Sequence, residues 1–277
     1  MDSETRVRLG AFLAVFVAMA LWEVIAPRRP LALGRSWRWP NNLGVTAFNA
    51  ILLRVLMPGA AIAVAAAGEI KYWGLFNDLP PAIERHLPRA AIFLLSVVLL
   101  DLVIYLQHVM FHAVPALWRV HRMHHADLDF DVTTGARFHP LEIAISMVIK
   151  VAAVAAIGAS PQAVVIFEVV LNATSMFNHG NVRIPLAADL RLRWLLVTPD
   201  MHRVHHSVIR AETNSNFGFN LSWWDRALGT YRAEPERGHL GMTIGLDQFR
   251  DPAELRLDRM LLQPWRGDAG AYPLGRE

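Results

Sequence analysis

Nine of the chain's twelve histidines follow a pattern that side-chain packing does not readily produce. Asp101, Tyr105, His108 and His112 are spaced by four, three and four residues, so on a helix they project from one stripe. His121-Arg-Met-His124-His125 and, much later, His202-Arg-Val-His205-His206 share one H-x-x-H-H spacing. Positions i, i+3 and i+4 converge on one helix face, so each triple is expected to present three imidazoles to one small volume. Glu168, Asn172, Ser175 and His179 repeat the four-three-four stripe. Nine imidazoles are too many for one ion and suit two, and imidazole binds zinc, iron, copper and nickel alike. The H-E-x-x-H motif of zinc peptidases is absent. His86, His139 and His239, taken singly, read as solvated or packed side chains.

The elements that must carry these histidines are apolar helices. Hydrophobic residues make up 54% of the chain, and the mean hydropathy is +0.29. Leu9 to Ala26, Val45 to Ala67 and Ala90 to Val109 each hold at most one or two charges. A bilayer core needs about 20 apolar residues per helix, so these three are expected to span. Leu141 to Phe177, with Gly158, Ser160 and Pro161 at its middle, reads as a helical hairpin. The fold class expected is therefore all-α and integral to the membrane, with three spanning helices, a hairpin and a cytosolic helical cap. Arg28, Arg29, Arg35 and Arg38, interleaved with Trp37 and Trp39, are expected to anchor a cytoplasmic loop on anionic lipid. Alternation then brings His108 and His112 to the cytoplasmic boundary of a multi-pass protein, as in a bacterial inner membrane. Lys71 to Arg89 falls outside, and Thr198 to Glu277 stays in the cytosol. Nucleic acid is not an expected partner, since the arginines flank hydrophobic spans. The chain has no cysteine, which removes disulfides and thiolate metal sites.

A histidine-rich shell at the end of apolar helices gives a site open to lipid, where a redox metal would activate dioxygen against an unactivated C–H bond. The motifs resemble the fatty acid hydroxylase and sterol desaturase superfamily over roughly Asp101 to Trp265. Besides the histidine motifs, the resemblance includes Arg137-x-His139-Pro140-x-Glu142, Asn178-His179-x-Asn181, Asn216-Phe217-Gly218, Trp224-Asp225-Arg226 and Gly229-Thr230. Gly245-Leu246 and Phe249-Arg250-Asp251-Pro252 extend it. Asn214 departs from it, standing where relatives often carry an acidic residue. The resemblance implies a centre of two iron ions, replaceable by zinc in purified protein, with dioxygen as co-substrate and a lipid as substrate. It implies His108, His112, His121, His124, His125, His179, His202, His205 and His206 as ligands, with His139 as a ligand or an outer group. Asp101, Tyr105 and Glu142 are implied to orient imidazoles or line the channel, and Trp224 and Asp225 to buttress the cap.

Residues 1–89 are expected to form the N-terminal helices and loops, 90–232 the catalytic domain and 233–277 a cytosolic tail, loose after Pro264. No segment reads as a cytochrome b5, ferredoxin or flavin domain, so a separate donor protein of the cytochrome b5 or ferredoxin type is expected to supply electrons. Two rivals to the oxygenase are a zinc hydrolase using Glu142 or Glu168 as base, and a metal transporter, which would place its ligands near mid-membrane. Lys150 and Glu168 lie about ten and eight residues either side of the hairpin turn, at similar depth on facing helices. They are expected to form an ion pair.

Overall fold

The computed structural model describes residues 3–275. Among them no strand forms. Helices are joined by short loops and three isolated β-bridges, Pro27 with Val182, Leu196 with Leu221 and Ser207 with Ile244. In chain order they are α1 (Ser3–Ile25), α2 (Arg35–Leu56), α3 (Ala60–Lys71), the single turn α4 (Pro81–Glu84), α5 (Arg89–Ala113), α6 (Pro115–His125), α7 (Pro140–Ile157), α8 (Pro161–Asn178), α9 (Leu186–Leu192) and α10 (Pro199–His205). Further short turns follow. Four stretches are long and apolar enough to cross a membrane: Thr5–Ile25, Arg35–Lys71, Arg89–Ala113 and Pro140–Ile157.

Local chemistry sets the boundaries. Proline occupies the first turn of α6, α7, α8 and α10, where its missing N–H costs nothing. Ser160 and Thr198 cap α8 and α10 through their side chains. The hairpin turns where expected, because Gly158 takes the left-handed conformation (φ 71°) that ends α7. The second apolar run is not one helix over Val45 to Ala67. It begins ten residues earlier and breaks at Met57–Gly59, where Pro58 has no N–H to donate and Gly59 sits at φ 61°.

All the long helices meet the histidine region at one end. α5 and α8 finish there, and α7 starts there. α1 finishes there, with Glu23 Oε1 accepting from Val132 N and Asn181 N at 2.7 and 2.8 Å. α2 starts there. The opposite half holds the apolar core of Leu100, Ile104, Val154, Val164 and Phe167.

The arginines expected to anchor lipid bind protein instead. Arg38 is fully buried and forks onto Asp127 with two bonds of 2.8 Å, with Asp131 as a second partner at 2.5 Å. Arg28 pairs with Asp200 at 2.9 Å and Arg35 with Glu23 at 3.6 Å, while Arg29 donates to the carbonyls of His239 and Met242. The indoles of Trp37 and Trp39 donate to Pro252 O and Asp131. A buried carboxylate is a closer partner for guanidinium than a screened headgroup, and Asp127 and Asp131 fall in a stretch whose fold the charge pattern did not reveal.

The tail also departs from expectation. Arg122 donates to the carbonyls of Gln263, Arg266 and Asp268, Trp118 Nε1 to Ala269 O at 3.0 Å, and Leu274 N to His112 O at 3.0 Å. Residues 264–275 are thus strapped over α6 by backbone groups, which leave no mark in composition. Lys150 and Glu168 form the expected ion pair, and Arg8 of α1 joins from the other side of Glu168.

The Arg38 network yields a first prediction. Arg38→Met leaves the Asp127 and Asp131 carboxylates buried without their cation and should cost about 3–5 kcal/mol of stability. Denaturant unfolding in detergent measures it, and an unchanged midpoint would contradict the role.

Candidate metal centre

α5 brings His108 and His112 to the end of the bundle, α6 supplies His121, His124 and His125, and α10 with its first following residue supplies His202, His205 and His206. His179 caps the C-terminus of α8. All nine side chains are buried. They form two groups: His108, His112, His121, His125 and His205 in one, and His124, His179, His202 and His206 in the other. Within each group the ligand nitrogens lie within 4.8 Å of one another. Neither triple serves a single volume, contrary to expectation. His121 and His125 join the five-histidine group while His124 joins the other, and His202 and His206 join the four-histidine group while His205 crosses to the first. The i, i+4 pair of each helix faces one group, and the residue between them, turned by about 100° from its neighbour, faces the second.

Six of the rings have their protons placed by oxygen acceptors. His108 Nδ1 donates to Phe217 O at 2.8 Å, His124 Nδ1 to Arg137 O at 3.2 Å, His179 Nδ1 to Ser175 O at 2.8 Å and His205 Nδ1 to Ser215 O at 2.7 Å. His121 Nδ1 meets Glu142 Oε1 at 2.7 Å, and His112 Nδ1 meets Asn214 Oδ1 at 3.2 Å. Asn214 Nδ2 donates to Tyr272 O, so its oxygen must be the atom facing His112. With the proton on Nδ1, each neutral ring turns a bare lone pair inward from Nε2.

Those lone pairs then face each other. His108 and His205 approach Nε2 to Nε2 at 3.0 Å, and His124 and His179 at 3.1 Å. Two acceptors at that distance repel unless a cation lies against both. His112 Nε2, His202 Nδ1 and both nitrogens of His206 are buried with no hydrogen-bond partner. Burial and neighbouring imidazoles push His124, His125, His202, His205 and His206 well below the usual histidine range, and burial takes His179 down to about 3. These six rings are therefore neutral at physiological pH. The residues present fit two metal ions, one per group.

His139 belongs to neither group. Its Nδ1 caps α7 by accepting from Leu141 N at 3.1 Å, and its Nε2 donates to Leu261 O at 3.1 Å. Both nitrogens are bonded within the protein, away from the two histidine groups. Asp101 and Tyr105 also do not reach an imidazole. Asp101 accepts from Asn220 N, Leu221 N and Trp224 Nε1, and Tyr105 OH pairs with Thr230 Oγ1 at 2.9 Å. They pin the loop whose Ser215 and Phe217 carbonyls orient His205 and His108. Asp225 closes the same loop on Phe217 N and Gly218 N, and a Cβ at Gly218 would stand 2.5 Å from its carboxylate. Asn216 sits at φ 52°, a left-handed position that asparagine tolerates. Sequence reasoning missed the carbonyl acceptors, which no side chain advertises. It also missed Phe138, stacked on His124 at 4.4 Å, and Trp118, beside His112 and His125.

A cavity of about 640 Å³ opens from His108, His121 and Glu142 and runs between α1, α2, α5, α7 and α8 to Arg8, Lys150 and Glu168. Phe12, Leu53, Ile104 and Phe111 give it mostly apolar walls. That size accommodates a lipid-like ligand.

Residues 93–230 match the model of the fatty acid hydroxylase family. The chain belongs to the fatty acid hydroxylase superfamily. It is similar to the ornithine lipid hydroxylase OlsE of Rhizobium tropici, at 28% identity over 81% of this chain and 66% of that protein. It is similar to the alkylglycerol monooxygenase of Xenopus tropicalis at 27% identity over 82% of this chain and 50% of that one. The human alkylglycerol monooxygenase is 31% identical over 51% of this chain and 31% of its own length. The chain thus spans less than two thirds of these relatives. No solved structure matches it.

The split of the triples makes a second prediction. His205→Ala should lower occupancy of the five-histidine group, and His124→Ala that of the other, as metal content per chain. Glu142→Leu, which frees His121 Nδ1, should weaken metal binding about 10–100-fold, whereas His139→Gln should leave it unchanged. Chelator competition reads all four. Full affinity in Glu142→Leu would refute the pairing.

Proposed function

We propose that this protein is a membrane-bound di-iron oxygenase that uses dioxygen and two electrons to hydroxylate or desaturate a lipid. The observation that carries the reading is the junction of two neutral imidazole groups with a largely apolar, lipid-sized cavity. Iron bound by the nine histidines would supply the activation of dioxygen. The chain's own residues do the rest. Carbonyls, Asn214 and Glu142 hold the rings, Phe219 and Phe111 wall the cavity beside the metals, and the helix bundle excludes water from the reacting carbon. That the similar proteins are, by name, lipid hydroxylases and monooxygenases supports the same class of substrate here.

The hydrolase reading loses its base, since Glu142 is bonded to His121 and Glu168 is engaged by Lys150 and Arg8. A transporter fits poorly with ligands gathered at one end of the bundle. Electrons would come from a separate protein of the cytochrome b5 or ferredoxin type, and zinc would displace iron during purification by its higher affinity.

The decisive experiment supplies iron-loaded protein, a chemical reductant and total lipid extract with and without oxygen. A product carrying one more oxygen atom or one more double bond, formed in air and absent under argon, is expected. Equal turnover under argon would overturn the reading. The metal centre is further proposed to face the cytosol. A single cysteine replacing Ser36, exposed near the histidine end, should resist membrane-impermeant thiol reagents in intact cells, while one replacing Asp78 should react. The opposite labelling would reverse the orientation.

A further inference from the structure

The segment between α8 and α10 is inside out for a helix in water. Asp189 and Arg193 form an ion pair at 2.5 Å with side chains 2% and 1% exposed. On the outer face Leu186, Leu190 and Trp194 are 64, 48 and 68% exposed. At spacings of four residues these three share one stripe. Leu192, Leu195, Trp223 and Leu228 are exposed as well, and the Trp223 indole Nε1 donates to the main-chain carbonyl of Trp194 at 3.0 Å, joining the two segments. Between Leu186 and Leu195 the one exposed charge is Arg191. Water favours the reverse arrangement, with leucine in and charge out, and so large an apolar patch marks a contact surface.

The position of the patch says what it contacts. Ser222 N donates to Leu195 O and Val197 N to Asn220 O, so the patch is tied to residues 220–222. Those residues are pinned in turn to Asp101, through Asn220 N at 3.3 Å and Leu221 N at 3.2 Å. Asp101 lies on α5 seven residues before His108, about 10 Å farther from the histidine end at 1.5 Å per residue. The patch therefore sits beside the apolar flank of a helix long enough to cross a membrane, not beyond its tip.

We propose that this face binds the bilayer itself. Resting on the reading of α5 as a membrane-spanning helix, α9 lies in the leaflet on the metal-centre side. Leu186, Leu190, Trp194 and Trp223 sink among acyl chains, and Arg191 extends its guanidinium to the headgroups. The buried Asp189–Arg193 pair faces the protein. Through Arg193 O, which accepts from Ser222 Oγ and Arg226, the immersed helix is tied to the loop that orients His108 and His205. The segment carrying half of the four-histidine group is thereby tethered at the depth from which a lipid substrate arrives.

The absence of cysteine makes the test clean. Single cysteines at Leu190 and Trp194, with references at Leu94 on the exposed face of α5 and at Glu236, would carry nitroxide labels. The full chain is placed, one copy per disc, in phosphatidylcholine–phosphatidylglycerol nanodiscs. Labels at 190 and 194 should relax faster with oxygen and be shielded from a water-soluble nickel chelate, as at 94, with the reverse at 236. Chelate access at 190 with protection at 94 would overturn the proposal. Protection appearing only with two copies per disc would overturn it in favour of a second chain. Access at 94 itself would instead strike the membrane reading on which the proposal rests.

Discussion

Lone-pair repulsion among neutral imidazoles is the constraint the rest of the structure answers to. Nine rings are packed into a space where nitrogens from different helices approach to about 3.0–3.1 Å. Such an arrangement is unstable as a packing solution. It becomes favourable only when cations sit among the rings, and until then the scaffold must hold them against their own repulsion. The fold does so by giving most rings a hydrogen-bond acceptor at Nδ1. That acceptor sets both the tautomer and the plane of the ring.

The acceptors explain much of the remaining architecture. The loop from Ser215 to Thr230 offers two carbonyls to histidine rings, and it is held by Asp101, Tyr105 and Asp225, which hydrogen-bond to none of the nine rings. Arg137 offers its carbonyl to His124 while its guanidinium binds Met123 O and Asn42. Arg38 sits behind this layer, tying α2 to Asp127 and Asp131. Several charges of this protein thus act inward. Both Arg38 and the Asp189–Arg193 pair are withdrawn into the protein, while large apolar side chains such as Ile51, Leu94 and Leu190 face out. A polarity of that kind suits a solvent of low dielectric.

Much of this was readable from residue order. The helical character, the hairpin turn at Gly158–Pro161, the nine histidines and the Lys150–Glu168 pair all follow from local rules, because periodicity, proline and glycine act within a few residues. The family was readable too, since its motifs lie at short, fixed spacings. What no local rule could supply is partnership across the chain. The H-x-x-H-H spacing does not say that the middle histidine joins the other histidine group, because that depends on where α5, α8 and α10 stand around α6. The resemblance leaves His139 open as a ligand or an outer group, and only the fold shows its two nitrogens capping α7 and meeting Leu261. The arginines after α1 carry the charge of lipid anchors, and only the fold brings Asp127 and Asp131 to Arg38 and Asp200 to Arg28, from roughly ninety or more positions away. The strap at the C-terminus is held by main-chain carbonyls, which every sequence contains. Residue type and spacing determined the chemistry available to this protein. Tertiary structure decided which lone pairs meet, because ligation is a matter of direction as well as kind.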